Sequence, residues 1–342
     1  GMQQHFEQGI KLRDRYVNQY NLFSAEYKDY NVYVRSTDVN RTLVSAYSQL
    51  AGFYADSSST YPSSNGLWPT HWTPVPVHTV EESTDHLLNS SPYCPRMSQI
   101  EEELKLKPRF VAFMQSQQPL LQNIAKNTGI KSNDFSSYAS TSKFYASTRI
   151  EKFYNLTLPA WITDSLWEQY VNGKYMGDDY LYGNAGFGET ENSELIMLKG
   201  GLLLKTMISN MDLVLANRTK TKYFMYSAHD TTINAFLRAL QAKQDILGYT
   251  TPDYAAVVLI ELWKNGNAEP YIKARYIRNV ASQPEPITKF IYGCKGEDNC
   301  SLNDFKIRSQ NFIPDDIIKS CEKLYQKFPQ KQNFNKKINK IS

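Results

Sequence analysis

Three side chains suited to phosphate chemistry stand at the ends of two short apolar runs. Arg35 closes the run Asn31-Val-Tyr-Val34, and His229 with Asp230 comes after Tyr223-Phe-Met-Tyr226, beyond Ser227 and Ala228. A guanidinium offers a planar fork of donors that matches phosphate oxygens. An imidazole can donate to the same oxygens, and a neighbouring carboxyl group can protonate a leaving alcohol. Each fragment also has a plain structural reading. Arg35 would serve as well in a structural salt bridge, and a His-Asp pair often caps a helix. Two junctions of one kind, one with Arg and one with His-Asp, are harder to dismiss.

The elements around these residues can be read from the residue pattern. Asn31 to Val34 alternate and are rich in β-branched and aromatic residues, so they read as a short strand. Leu43, Tyr47, Leu50 and Tyr54 fall at helical spacing, and Ser36, Thr37 and Asp38 are suitable N-caps for that helix. Tyr223 to Tyr226 reads as a second strand and Ile233 to Leu240 as its helix. Both polar turns therefore lie between the carboxyl end of a strand and the start of a helix. Open α/β sheets bind ligands there, and the first helix amides favour anions. The pattern predicts Arg35, His229 and Asp230 at neighbouring strand ends, facing one cleft.

Arg35-Ser-Thr-Asp-Val-Asn-Arg-Thr42 and Tyr226-Ser-Ala-His-Asp-Thr-Thr232 resemble two signature segments of the histidine acid phosphatases, the prostatic and lysosomal branch above all. Gly1-Met-Gln-Gln-His-Phe-Glu-Gln-Gly9, Pro74-Val-Pro-Val-His-Thr79, Asn155-Leu-Thr-Leu-Pro-Ala-Trp161 and Gly200-Gly201 resemble further stretches of that family, in the same order. The resemblance covers nearly the whole chain and is weakest in the middle and the tail. It implies an α/β fold: a phosphoglycerate mutase-like mixed sheet flanked by helices, with an inserted, mainly helical cap. Residues 1–95 and 190–325 would form the α/β part, 96–189 the cap, and 326–342 a disordered tail. The implied activity is hydrolysis of phosphate monoesters through a phosphohistidine, with no cofactor and no metal. Arg35 matches the family's phosphate-binding arginine, His229 its phosphate-contacting histidine and Asp230 its proton donor.

One departure outweighs the matches. The family's nucleophile is the histidine of an Arg-His-Gly-x-Arg motif, and this sequence contains no Arg-His-Gly. Gly1-Met2 matches an interior position of the family, so the expectation is a fragment without the first strand, inactive as written. His5, His71, His78 and His86 sit in no motif that could replace the nucleophile and read as surface, packing or interface residues.

Composition narrows the class. The chain has 342 residues, 41% hydrophobic and 13% aromatic, enough for a large core. A formal charge of +4 is too mild to argue for nucleic acid or a polybasic membrane surface. Apolar runs such as Ala255 to Ile260 are too short to span a bilayer, so no transmembrane segment is expected. Cys94, Cys294, Cys300 and Cys321 allow three pairings or four free thiols. The family resemblance implies Cys94–Cys321 and Cys294–Cys300, and with them a secretory route, lysosomal or extracellular. Sequons at Asn40, Asn89, Asn155, Asn217 and Asn299 lean weakly the same way.

Outside the two junctions, Met2, Phe6, Ile10 and Val17 mark an amphipathic helix ending near Tyr20. Residues 56–66, rich in Ser, Pro and Asn, read as a surface loop. Leu67 to Val80 is aromatic and proline-broken, and the resemblance makes its Trp68–His78 portion a candidate homodimer contact. Helical patterns run from Ile100 to Gln115 with a break or kink at Pro108, from Leu120 to Asn127 and from Ala160 to Asn172. Tyr175 to Gly188 reads as a mobile loop. A long helix, Asn192 to Ala216, contains Gly200-Gly201, whose helix cost implies close packing against another backbone. Asn265-Gly266 joins two strand-like runs as a hairpin.

Three rivals stand beside the acid phosphatase: an inositol polyphosphate phosphatase or phytase-like relative, a non-catalytic phosphate-binding or interaction relic, and a hydrolase triad of Ser227, His229 and Asp230. The triad fails because near-adjacent residues cannot form the relay, and no G-x-S-x-G elbow is present.

Overall fold

The computed structural model describes residues 1–55, 57, 68, 72–295 and 298–323. The 326–342 tail and most of the 56–66 loop lie outside the described residues.

Two strands carry the junctions. β1 (Val32–Ser36) and β2 (Tyr223–Ser227) pair in parallel, with Arg35 opposite Tyr226 and Ser36 opposite Ser227. The segment at His78 extends β1's other edge: His78 donates its N–H to the Val34 carbonyl at 3.0 Å and accepts from the Ser36 N–H at 2.9 Å. β3 (Val257–Trp263) and β4 (Tyr271–Ile277) form the antiparallel hairpin around Asn265-Gly266, flanked by the short β5 (Glu285–Pro286) and β6 (Cys300–Ser301). Among the described residues, β2 and β3 each have one unpaired edge. Val34, Met225, Leu259 and Ile277 nonetheless share one hydrophobic cluster, so the two sheets meet in a common core.

The first helical segment closes that core. α1 (Met2–Arg13) runs into a π-helical turn through Gln19, which agrees with an end near Tyr20. It crosses α2 (Asn40–Phe53) where two glycines meet the opposite backbone. A Cβ on Gly9 would lie 2.0 Å from the Gln49 carbonyl oxygen, and one on Gly52 would lie 2.0 Å from that of Phe6. The π turn is fixed to β3 by buried Glu261, which accepts from Arg15 Nε and Tyr16 Oη, each at 2.8 Å.

Helices α3 (Pro95–Lys105), α4 (Pro108–Thr128), α5 (Ser142–Phe153) and α6 (Asp164–Leu181) pack around a separate cluster that includes Phe110, Leu121, Phe144, Tyr170 and Tyr180. One sequence expectation is met here and two are corrected. The break expected at Pro108 is present: α3 ends at Lys105 and α4 starts at Pro108, where a first-turn proline loses no hydrogen bond. Leu120 to Asn127 is not a separate helix: α4 continues through Pro119, which lies on its exposed face, and ends at left-handed Gly129. Tyr175 to Leu181 is the last part of α6, not a loop, because Gly177, Asp179 and Tyr180 are buried against the helical cluster. Burial outweighs the poor helix propensity of that stretch.

The expected long helix is present as α7 (Ser193–Ile196), a π turn Met197–Gly201 and α8 (Leu202–Leu215). A Cβ on Gly200 would stand 2.4 Å from the Ala235 carbonyl oxygen, and one on Gly201 would stand 2.1 Å from that of Phe312. Close backbone approach therefore explains the pair. α9 (Asp230–Ala239) and α10 (Lys243–Leu247) come after β2, and α11 (Leu302–Ser309) and α12 (Ile317–Glu322) end the described chain. Disulfides join Cys94 to Cys321 and Cys294 to Cys300. No helix of the described residues is long and apolar enough to cross a membrane.

Candidate functional site

The parallel pairing of β1 and β2 puts the two polar turns side by side. Thr37, two residues beyond Arg35, places its Oγ1 3.1 Å from His229 Nε2. Arg41, in the first turn of α2, places Nη2 3.2 Å from His229 Nδ1. An arginine can only donate, so Nδ1 is the acceptor and the imidazole is neutral, with its proton on Nε2 toward Thr37. Burial pushes the His229 pKa down, and the Arg41 charge pushes it the same way. A dianion arriving here would oppose both effects by favouring the imidazolium.

His229 is also the N-cap residue of α9, and its N–H donates to Thr232 Oγ1 at 3.3 Å. Thr232 Oγ1 in turn donates to the Leu88 carbonyl at 2.6 Å. That contact ties α9 to the turn 85–88, whose buried Asp85 carboxylate accepts from the N–H groups of Leu87 and Leu88 at 3.2 and 3.1 Å.

Asp85 is the partner of Arg35. Arg35 is 4% exposed, its Nη2 lies 2.9 Å from Asp85 Oδ2, and its Nη1 donates to the Ser36 carbonyl. The structural salt bridge weighed for Arg35 from sequence is therefore real. The guanidinium stands at the strand end, beside the turn that holds His229, with both terminal nitrogens engaged. An anion would reach it by competing with Asp85.

Asp230 opens α9 and is exposed at 42%; its Oδ2 lies 3.5 Å from Arg149 Nη1 on α5. A residue of the helical cluster thus reaches Asp230. Asp38 is exposed and makes no capping bond; the N-cap of α2 is Val39, and no side chain caps it. Thr42 and Thr37 join their hydroxyls at 2.8 Å within the buried turn instead. Ser227 Oγ donates to the Thr42 carbonyl at 2.8 Å, which commits it away from any relay with His229.

The structure adds four residues to those found by sequence: Thr37, Arg41, Asp85 and Arg149. Thr37 and Arg41 lie inside the signature segment beginning at Arg35, and that segment is the signal that could have flagged them. Asp85 and Arg149 have no local signal, since they reach the site from a turn and a helix distant in sequence. Among the described residues no cluster of three or more His, Cys, Asp or Glu side chains could hold a metal ion.

With this geometry in hand, comparison with known proteins defines the class. The chain belongs to the histidine phosphatase superfamily, branch 2, whose model matches residues 1–279. It is 30% identical over 325 residues to prostatic acid phosphatase of Rattus norvegicus, covering 94% of this chain and 78% of that protein. It is 31% identical over 326 residues to lysosomal acid phosphatase of Xenopus laevis, covering 94% of this chain and 70% of the relative. Among solved structures, a phytase from Citrobacter braakii superimposes with TM-score 0.59 at 12% identity, covering 94% of this chain and 88% of that one. A Klebsiella sp ASR1 phytase gives TM-score 0.58 at 15% identity, covering 93% and 87%. These two likenesses establish the fold.

Proposed function

We propose that these residues form the phosphate-binding and proton-donating half of an acid phosphatase acting on phosphate monoesters. The observation that carries the reading is the register of β1 against β2, which sets the Arg35 and His229-Asp230 turns side by side at one edge. Membership of a phosphatase family and relatives named as acid phosphatases support it. In this reading His229 takes a proton as the phosphate dianion enters and donates to its oxygens. Arg35 exchanges Asp85 for the phosphate, and Asp230 protonates the leaving alcohol. Helices α3 to α6 serve as a cap over the site.

No histidine here stands in an Arg-His-Gly motif, so the chain as given is proposed to bind phosphate without forming a phosphohistidine. The edges of β2 and β3 that are unpaired among the described residues, on strands that share an apolar core, support a further strand as the carrier of the nucleophile. We also propose a secretory, lysosomal or extracellular setting, which the two disulfides support, and glycosylation at sequons such as exposed Asn155 and Asn217. The homodimer reading of the Trp68–His78 region gains support from an apolar groove lined by Tyr47, Leu50, Trp72, Pro74, Val75 and Pro76; His71 lies outside the described residues.

A second reading, a non-catalytic phosphate-binding or interaction relic, draws on the Arg35–Asp85 pair, which neutralises the clamp. Hydrolysis of para-nitrophenyl phosphate at acid pH separates the two. The 342-residue chain is expected to be inactive, and the same chain preceded by a segment containing Arg-His-Gly-x-Arg is expected to turn over, with Asp230→Asn slowing poor leaving groups most. Inactivity of both would favour the relic. Turnover by the chain alone would overturn the assignment of the nucleophile.

A further inference from the structure

Arg149 is the only cation that the helical cluster is seen, among the described residues, to bring against the Asp230 carboxylate. Its side chain is largely buried and held by several partners. Its Nη2 donates to the Pro252 carbonyl at 2.9 Å, and its guanidinium carbon stands 5.0 Å from the centre of the Tyr254 ring and 5.8 Å from that of Tyr145. Tyr145 is itself fixed, stacked on Trp167 at 6.0 Å and joined through its hydroxyl to Tyr175 at 3.0 Å. The guanidinium is therefore preorganised, with little side-chain freedom left to lose on binding a ligand.

Its contact with Asp230 is different. Nη1 and Oδ2 are 3.5 Å apart, an ion pair too long for a good hydrogen bond. Asp230 Oδ1 already accepts from the Thr231 N–H at 2.9 Å, so Arg149 engages the other carboxylate oxygen, and the pair competes with the proton donation assigned to Asp230. A group that took over Nη1 without moving the guanidinium would resolve the conflict. In that reading Asp230 addresses the ester oxygen of the leaving alcohol, so Arg149, one contact beyond it on the side of the helical cluster, addresses what that alcohol carries.

We propose that Arg149 is the specificity-determining cation of the site, receiving an anionic group, a carboxylate or a second phosphate, borne on the alcohol side of the phosphate ester. This rests on the phosphate-site reading above. Binding the second anion satisfies Nη1 with a charge-assisted hydrogen bond and frees Asp230 from its partner. Esters of neutral alcohols leave the pair intact.

Titration calorimetry of the 342-residue chain tests this without requiring turnover. The probes are ethyl phosphate, phosphoglycolate and ethylene glycol bisphosphate, which share the ester and differ in the group borne by the alcohol. The two doubly anionic probes are expected to bind roughly tenfold tighter than ethyl phosphate, the larger gain of the two identifying carboxylate or phosphate as the preferred group. In Arg149→Gln that advantage is expected to vanish, and in Arg149→Lys to return in part, with melting curves showing that each variant is folded. If Arg149 only staples the cluster to the 252–254 loop, the substitution weakens all three probes alike or leaves the advantage in place, and the proposal is overturned. Equal binding of the three probes by the unaltered chain overturns it too. Failure of ethyl phosphate itself to bind removes the phosphate-site reading, and this assignment with it.

Discussion

At the scale of single residues, His229 is the side chain whose charge is most open to control. Its native pKa lies below the ordinary 6.5, so the unfolded chain takes up the proton first as the pH falls. Above 6.5 His229 contributes nothing to the pH dependence; stability is lost as the pH drops through 6.5 toward the lower native value. His229→Gln should therefore flatten the fall in melting temperature between about pH 7 and about pH 5, with an unchanged slope counting against the shift. Arg41→Gln should raise the His229 pKa, read from imidazole NMR titration; a fall or no change would show that Arg41 exerts no field there. Phosphate binding near neutral pH should be accompanied by proton uptake, measurable as a dependence of binding heat on the buffer. At this scale the sequence was legible where side chains adjoin along the chain. Arg35, His229 and Asp230 stand out because a strand end and a helix start occupy only a few residues. Asp85 and Arg149 were not legible, because their proximity is created by tertiary packing alone.

The elements show the same division. β1 and β2 were readable from alternation, and so was the helix after each. The caps were not: three good capping residues precede α2, yet none of them caps it, because Thr37 turns inward to meet Thr42 and His229. Tyr175 to Leu181 looked like a loop because its composition is poor for helix, while what holds it is burial that composition does not record. Gly200-Gly201 stood out because glycine has no local advantage inside a helix. Gly9 and Gly52 carry the same message and went unread, although they set the crossing of α1 over α2. A methyl group at Gly52 would meet the Phe6 carbonyl, backbone against backbone, so neither partner can rotate aside. Gly52→Ala should cost about 2–3 kcal/mol in denaturant unfolding, near the upper end for overpacked sites. A loss well under 1 kcal/mol would show that the helices separate freely. The same crossing supports β1 from behind, so the substitution should loosen the Arg35 strand end before it disturbs α9.

For the whole molecule, the two disulfides differ greatly in reach. Cys94 and Cys321 are 227 residues apart in sequence, Cys294 and Cys300 only 6. In the chain-entropy model removal of the long bridge costs about 5 kcal/mol and of the short one about 2 kcal/mol. Cys94→Ser should therefore lower stability more than Cys300→Ser, and the reverse order would mean that strain or residual structure governs both. The long bridge also divides the chain mechanically. Under tension applied at the two ends, force passes from Cys94 to Cys321 through the sulfurs and skips the chain between. With about 3.5 Å per extended residue, on the order of 800 Å of contour length stays hidden until a thiol cuts the bond. Arg35 and Arg41 lie on the pulled side, whereas Arg149, His229 and Asp230 lie inside the shielded loop. A pull would strip the guanidinium strand from the site while its imidazole, its carboxylate and the arginine paired with it stayed folded, so reductant decides whether tension removes half of the site or all of it.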